Sequence, residues 1–544
     1  MTKGLVYDYI IVGAGSAGCT LAARLTENPN CRVLLLEAGG WDRDPLIHIP
    51  LTWAKMLLEQ SHDWGYSCKP EPTVNNREIE CARGKVIGGS SSVNAMAYVR
   101  GNRGDYNRWA DSGLSSWSYK HVLPYFKKLE TWENSNPFRG SSGPINVQHC
   151  RYDDPLVEAY GEAGIAGGFG WTDDYNGNIQ EGFSRLQMTI KNGRRCSAAN
   201  AYLRPSLQRK NLVVKVNSLT TKVAFENNKA IGVHFTQNNQ SFFAHADQEV
   251  ILCAGVINTP QLLMLSGIGD SKKLRRIGIK SKLHLEGVGM NLQDQMSAII
   301  MYKRKENGPF HHNMRVDRIV SSLAKTYFFG TGFASDVPGG MTAFLRTNSS
   351  YELPNIQLLL TAAPLGAWPY LRPFKKPFID GFVSRVVLLN PESRGEVEVV
   401  SSNIKVKPMI KQNFLSTPKD WTTLRDGLRI ARDIATQPCM EQFIDKEILP
   451  GISKTSNKEL SNHIAETAIT LHHPLGTCRM GSQNDLTAVV DSKLRVIGAE
   501  GLRVVDGSVM PDLVRGNING PIIMIAEKAA DYIRNKKSLP PEEN

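Results

Sequence analysis

The sequence predicts an α/β chain, α+β overall, in which a parallel-sheet domain that binds a dinucleotide is interrupted by a domain built on an antiparallel sheet. Three observations predict it. A strand–glycine–helix–strand unit occupies residues 8–37. From about residue 297 short β-rich segments replace the strand–helix alternation. After residue 461 a strand and a long helix return, as expected of a chain re-entering its first domain.

The first unit carries the strongest signal. Tyr9 to Val12 read as a short buried strand, and Gly13, Gly15 and Gly18 follow as G-x-G-x-x-G. Ser16 and Ala17 open a helix with Leu21 and Leu25 on one face, and Arg32 to Leu36 form a second strand ending at Glu37 and Ala38. Gly13 permits the tight turn, and Gly15 lets backbone N–H groups approach a pyrophosphate. Gly18 lets helix and strand pack closely, and the helix N-terminus favours the phosphate charge. Glu37, nineteen residues past Gly18, is placed to accept hydrogen bonds from a ribose. Glycines alone also mark ordinary turns; the order of strand, helix, strand and acid is what makes this a Rossmann-like dinucleotide site. Which dinucleotide it takes, the motif does not say.

A chain of 544 residues is too long for one core and predicts two closely joined domains. The net charge of +12 is spread over scattered Lys and Arg, which reads as a solvated surface and weighs against nucleic-acid binding. No two of the nine cysteines form C-x-x-C, which argues against zinc and iron–sulfur sites; no metal is expected. Their odd number fits a reducing compartment. The first strand leaves no room for a signal peptide, and no apolar run approaches the ~20 residues of a membrane span. A cytoplasmic protein is therefore expected, with peripheral contact at the inner membrane left open.

Between Glu37 and Pro72 the sequence turns irregular, as in a lid or connecting excursion. Arg83 to Gly101 follow, where Gly88, Gly89, Ser90 and Ser91 suggest a second backbone nest for a phosphate or an isoalloxazine ring. Asn94, Ala95, Met96 and Ala97 continue from it toward Val99 as an expected apolar helix. Residues 117–130 read as a surface helix, and Asn211 to Phe243 as alternating strands. Glu249 to Ala254 form a buried strand, and Gly255 to Leu265 a helix. Beyond residue 297, strands are expected at 355–361, 381–389, 396–400 and 404–407, two of them joined across Asn390 to Gly395. Tyr327-Phe-Phe and Trp368-Pro-Tyr suggest an aromatic cavity wall, although aromatics so placed are more often plain core. Asp506 and Gly507 end a late strand, and Gly516 to Pro521 open an amphipathic helix from Ile522 to Ile533. The domains expected are thus 1–296 for the cofactor, with excursions at about 40–80 and 120–200, 297–460 for substrate, and 461–536 as the return. Residues 537–544 read as a disordered tail.

With these stretches assembled, the sequence resembles the glucose–methanol–choline (GMC) oxidoreductases, FAD-dependent alcohol dehydrogenases and oxidases, over nearly its whole length. Gly13 to Gly18 with Glu37, Gly84 to Asn94, and Thr259-Pro-Gln-Leu-Leu-Met-Leu-Ser-Gly-Ile-Gly appear in family order. So do His473-Pro-Leu-Gly-Thr-Cys-Arg-Met-Gly and Asn517-Ile-Asn-Gly-Pro. The branch most similar holds bacterial choline dehydrogenase and aliphatic alcohol dehydrogenases. The resemblance implies that His473 is the active-site base and Asn517 its partner. It implies FAD contacts from Gly13, Gly15, Ser16, Ala17, Gly18, Glu37, Ala38 and Arg83. Further contacts are expected from Gly88, Gly89, Ser90, Ser91, Asn94, Ala95, Met96, Ala97 and Val223, and from Ala254, Gly255, Asp506, Gly507, Asn517, Pro521 and Ile522.

Three departures from the family pattern stand out. Val93 occupies the position where some members carry a histidine bonded to FAD, which implies noncovalent flavin. Val256 replaces a small residue, and Gln295 stands where Asn-Leu-Gln-Asp is commonly followed by His. The implied chemistry is hydride transfer from an alcohol carbon to flavin N5, with proton removal by an imidazole whose ordinary pKa is about 6.5. His472 is the confusable neighbour, Asn517 could instead cap a helix, and Asp506 could be a turn acid. A quinone or similar non-oxygen acceptor is expected on branch resemblance. An oxygen-using oxidase and a cyanohydrin lyase on the same fold are the alternatives.

Overall fold

The computed structural model describes residues 5–482 and 484–542. Its elements run β1 (Leu5–Val12), α1 (Ser16–Leu25), β2 (Val33–Leu36), α2 (Tyr119–Leu129), β3 (Gly182–Arg185) and β4 (Leu212–Lys215). Then come β5 (Ser218–Glu226), β6 (Lys229–Gln237), β7 (Gln240–Leu252), α3 (Gly255–Leu265), β8 (Met296–Arg304) and α4 (Val316–Phe329). The chain continues with β9 (Met341–Leu345), β10 (Ile356–Thr361), β11 (Gly381–Leu388), α5 (Pro418–Ala435) and β12 (Ile444–Leu449). It finishes with β13 (Ile469–Thr470), β14 (Leu502–Val504) and α6 (Asn519–Ile533). Shorter turns and strands lie between them.

The first sheet runs β5-β6-β7-β1-β2-β4, with β14 beside β7. Strands β7, β1, β2, β4 and β14 are parallel, which buries them on both faces and explains why Ile10, Ile11 and Val33 to Leu36 are continuously apolar. α1 and α6 lie together against this sheet, so their N-termini converge. Nearly every residue of α6 is buried, the charged Glu527 and Lys528 included. It is therefore a central helix rather than the amphipathic one expected: Arg24 and Tyr202 satisfy Glu527, and Lys528 lies over Trp117 and Tyr125.

The second sheet runs β12-β8-β11-β10-β9-β3 in antiparallel order, with β13 beside β8. Alternation divides its faces. Ala298, Ile300, Leu358, Val386 and Leu388 pack toward α5 in one core, while Phe344, Val387 and Leu389 meet Val99 and Tyr175 on the other. Two strands come from outside 297–460: β3 from the second excursion and β13 from the return segment.

Several local expectations differ from what forms. After a 3₁₀ turn at Gly89–Ser92 no helix follows; Met96 has φ +62° and Asn94 caps its N–H. The reason is that Val93, Met96 and Val99 serve three separate cores rather than one helix face. α2 is mostly buried, with Tyr125 and Phe126 inside. The strand at 396–400 shortens to Glu396–Glu398 and leaves the sheet to pair with Met409–Lys411, so 404–407 is a turn and no hairpin forms across Asn390. Tyr327, Phe328, Phe329 and Trp368 are exposed and line no cavity wall; only Tyr370 of that group is buried. The tail also differs from the disorder expected: Leu539 donates its N–H to Tyr125 and Glu542 pairs with Lys127, while 543–544 lie outside the described residues. No helix of the described residues is long and apolar enough to cross a membrane, and none of their His, Cys, Asp and Glu side chains cluster as a metal site.

Candidate active site

A cavity opens where the N-termini of α1, α3 and α6 converge at the ends of the parallel strands. That is where an α/β sheet binds its ligand, since helix dipoles and unsatisfied N–H groups point there. Gly13, Gly15, Ser16, Ala17, Glu37, Ala38, Arg83, Gly89 and Ser90 line it. So do Ala254, Gly255, Asp506, Gly507 and Ile522. The two glycine nests touch: Gly89 has φ +53°, and a Cβ there would lie 2.7 Å from the Cα of Gly15. Ser16 Oγ donates to Asn519 Oδ1 at 2.7 Å, joining the start of α1 to that of α6. Glu37 accepts from the N–H groups of Ala14 (2.9 Å) and Gly39 (2.8 Å), and burial pushes its carboxyl up to about 7. Asp506 is more than a turn acid. It accepts from Gly255 N–H and from Thr259 and Ser508, tying the return strand to the mouth of α3.

The remaining candidates sit away from the cavity. Gly18 packs beneath Gly13, where a Cβ would strike the Gly13 carbonyl. Gly88 and Ser91 shape the nest from behind; Ser91 Oγ donates to Gly88 O and accepts from Ala198 N–H. Asn94 is held by the buried Arg195, and Met96 and Ala97 fill the second core. Ala95 and Pro521 are also absent from the lining, as is Val223, whose N–H is already bound to Ser266 Oγ; Ser218, Leu219 and Thr220 line the wall in its place. Val256 is buried in the wall with its carbonyl accepting from Thr477. Val93 packs beside Ile47, Met56 and Val86 and offers no nucleophile.

His473 and Asn517 are the chain neighbours of the lining residues Pro474 and Ile518, and they meet behind that wall: Asn517 Nδ2 lies 3.0 Å from His473 Nε2. The other ring nitrogen, Nδ1, lies 2.8 Å from Gln295 Oε1. Gln295 is itself fixed, because its Nε2 donates to the carbonyl of Leu389 at 2.9 Å. The orientation then propagates. With Gln295 Oε1 facing the ring, Nδ1 must carry the proton and Nε2 the lone pair, and Asn517 must present its N–H group. Asn517 Oδ1 is left buried without a partner. Asp294 holds the backbone, accepting from His473 N–H (2.9 Å) and Thr470 (2.5 Å); burial raises it to about 6. Burial, then the Arg83 charge, then His472 push His473 down to about 3. His472 has φ +61°, faces elsewhere, and has its carbonyl bound by Arg83 at 2.6 Å. Sequence reasoning missed Asp294 and Thr470 and left Gln295 uninterpreted. The unusual residue after Asn-Leu-Gln-Asp was the available signal.

A glycine-lined cavity at converging helix N-termini, with a neutral imidazole behind its wall, defines a dinucleotide-dependent oxidoreductase. Residues 7–297 and 391–526 match the N- and C-terminal models of the GMC oxidoreductases, and the chain belongs to that family. It is 41% identical over 99% of its length to an oxygen-dependent choline dehydrogenase of Chromohalobacter salexigens, of which it covers 97%. It is 39% identical to the mitochondrial choline dehydrogenase of Mus musculus, over 98% of this chain and 90% of that one. Among solved structures, pyridoxine 4-oxidase from Mesorbium loti superimposes with a TM-score of 0.87 at 31% identity, covering 98% of this chain and all of that one. Formate oxidase of Aspergillus oryzae gives 0.90 at 26% identity, covering 98% and 99%. FAD is accordingly the cofactor, and the paired glycine nests, Glu37 and the open cavity suit it.

Proposed function

We propose that the protein oxidises an alcohol to an aldehyde with His473 as base and passes the electrons to a quinone or another non-oxygen acceptor. The observation that carries the reading is the His473–Asn517 pair, with its lone pair fixed on Nε2 behind the wall of the cofactor cavity. Bound FAD supplies the hydride acceptor at N5. Gly13, Gly15, Gly89 and the helix N-termini would hold its phosphates, and Glu37 would accept from its ribose.

A substrate hydroxyl takes the place of the Asn517 N–H as donor to His473 Nε2. The displaced Asn517 amide then donates to the alcohol oxygen as negative charge develops there. His473 takes the hydroxyl proton on Nε2, while Gln295 keeps hold of the proton on Nδ1. Because burial and Arg83 hold the ring neutral, it is available as a base at any ordinary pH. The same depression makes the acquired proton easy to release afterwards.

The names of the relatives support alcohol oxidation; several are called oxygen-dependent choline dehydrogenases, so the non-oxygen acceptor is the part of the reading that the acceptor assay tests. Anaerobic mixing of the holoenzyme with alcohols tests the first point, since oxidation bleaches the flavin and cyanohydrin cleavage does not. Turnover with a quinone analogue should far exceed turnover with air. Equal hydrogen peroxide formation in air would make it an oxidase.

A further inference from the structure

The face of the second sheet that looks toward the cofactor domain carries a guanidinium with no partner of opposite charge. On this face β8 presents Ser297 and Ile299, β10 presents Leu359 and Thr361, and β11 presents Arg385 and Val387. Gln295 begins the same row and touches His473, while Val387 packs with Val99 of the cofactor domain. Arg385 is only partly buried although it lies in the middle of a central strand, and Leu359 beside it packs against the cluster of Val99 and Tyr175. Arg385 Nη1 donates to Ser297 Oγ at 3.0 Å. Its Nε and Nη2 make no hydrogen bond, and Arg385 makes no ion pair among the described residues. Strand spacing puts Ser297 about 7 Å along from Gln295, whose amide touches the His473 ring.

An enclosed cation without a counter-ion is costly, and proteins normally pair it. Here the row on this face contains no carboxylate. The charge reaches the neighbouring residue, because burial, then Arg83, then Arg385 push His472 down to about 3. Burial lowers Arg385 only to about 10, so it remains a cation at neutral pH. Trp64, an aromatic of the cavity wall, already has the Lys85 ammonium 4.6 Å from its ring centroid.

We infer that Arg385 is the specificity-determining residue of the substrate cavity and that the alcohol it selects carries a carboxylate a few carbons from the carbinol. The inference rests on the alcohol-oxidising role of His473, and it separates this chain from the quaternary ammonium substrate that the names of its relatives carry. A trimethylammonium group in this cavity meets the Arg83 and Arg385 charges, while the carboxylates near the two histidines are already engaged: Asp294 by Thr470 and the His473 N–H, Glu80 by His472. A carboxylate there supplies the missing counter-ion and takes the two unused donors of Arg385 as a fork.

The test uses FAD-loaded enzyme and three alcohols of similar size: 4-hydroxybutyrate, 3,3-dimethyl-1-butanol, and choline, the cationic isostere of the second. Anaerobic flavin reduction should favour them in that order. Arg385→Gln should lower kcat/KM for 4-hydroxybutyrate by about 10- to 100-fold, mostly through KM, since a lost charged hydrogen bond costs that much. The same variant should leave the neutral alcohol within about threefold, and Arg385→Lys should restore part of the loss. Butyrate provides a readout apart from turnover: it should perturb the flavin spectrum of wild type saturably, and Arg385→Gln should weaken that binding by a similar factor. Choline as the best of the three, or butyrate binding unaffected by Arg385→Gln, overturns the inference while leaving alcohol oxidation intact. Bleaching by none of the alcohols, with butyrate still bound through Arg385, would instead overturn the oxidation reading alone.

Discussion

Gln295 accepts the Nδ1 proton of His473 at 2.8 Å and cannot turn its amide round, because the Leu389 carbonyl holds the other end. The tautomer of the proposed base is therefore set by a backbone carbonyl two hydrogen bonds away from its ring.

This arrangement makes Gln295 a positioning residue with a distinct signature. Gln295→Met should keep FAD and slow flavin reduction by alcohol about 10–100-fold, the usual cost of losing such an orienting partner. Gln295→Glu should behave differently, because a carboxylate beside Nδ1 stabilises imidazolium and raises the His473 pKa. Its reduction rate should climb with pH through the range near 6.5, a profile that a merely structural role would not produce.

The pH profile of the unmodified enzyme follows from the same ring. Only neutral imidazole accepts the proton, and burial with Arg83 places its ionisation at about 3. The ordinary value near 6.5 leads one to expect a rate that rises through neutrality. The buried ring gives the opposite expectation: stopped-flow flavin reduction should be flat from pH 5.5 to 8. A tenfold rise centred near 6.5 would show that the ring is not held neutral.

Three single variants rank the groups around the reacting atom. His473→Ala should retain FAD and lose about 10²–10⁴-fold in anaerobic flavin reduction, the range for removal of a general base. Asn517→Ala should lose about 10²–10³-fold, as for one oxyanion-type donor. His472→Asn should stay within a few-fold, since asparagine tolerates the φ of +61° there. His473→Ala enzyme reduced at the wild-type rate would remove the base from the mechanism.

His472 has its own consequence for stability. Its folded pKa, about 3, lies below the unfolded value near 6.5, so the unfolded chain binds the extra proton between those two values. Stability from this group is full above about pH 6.5 and falls as pH drops toward 3. At pH 5 the loss is about 1–2 kcal/mol. Thermal unfolding of His472→Asn at pH 8 and pH 5 should show a smaller drop than wild type.

Gly89→Ala tests the cofactor cradle. The new methyl lies 2.7 Å from Gly15 Cα on a backbone at φ +53°, so the two nests must separate. The strain is about 1–3 kcal/mol. The purified variant should contain much less FAD than wild type by absorbance after gel filtration, and full flavin content would contradict the cradle.

The parallel half of the fold was legible because it is built from local patterns. Gly13 to Glu37 sits within one contiguous stretch, and β1, α1 and β2 form with boundaries a few residues from those expected. The stretch from Val93 to Val99 was not, since its apolar residues look helical yet go to three cores that only tertiary packing defines. In the site, His473 and Asn517 were visible through a motif, whereas Asp294 and Thr470 act through hydrogen bonds across 176 residues of chain that no spacing announces. Val223 shows the converse failure: it lies in a strand beside the cavity, but Ser266 has already taken its N–H.

The hydrogen bond from Ser16 to Asn519 spans 503 residues and closes the rim of the cofactor cavity. A growing chain on the ribosome carries the glycine nest from its first moments but lacks α6, β14 and Asp506 until synthesis is almost done. Domains tend to fold as they emerge, N-terminal parts first, and here the inserted sheet is made before the wall that completes the first domain. The cavity that holds the flavin is therefore complete only when nearly the whole chain has been made, and flavin capture follows synthesis rather than accompanying it.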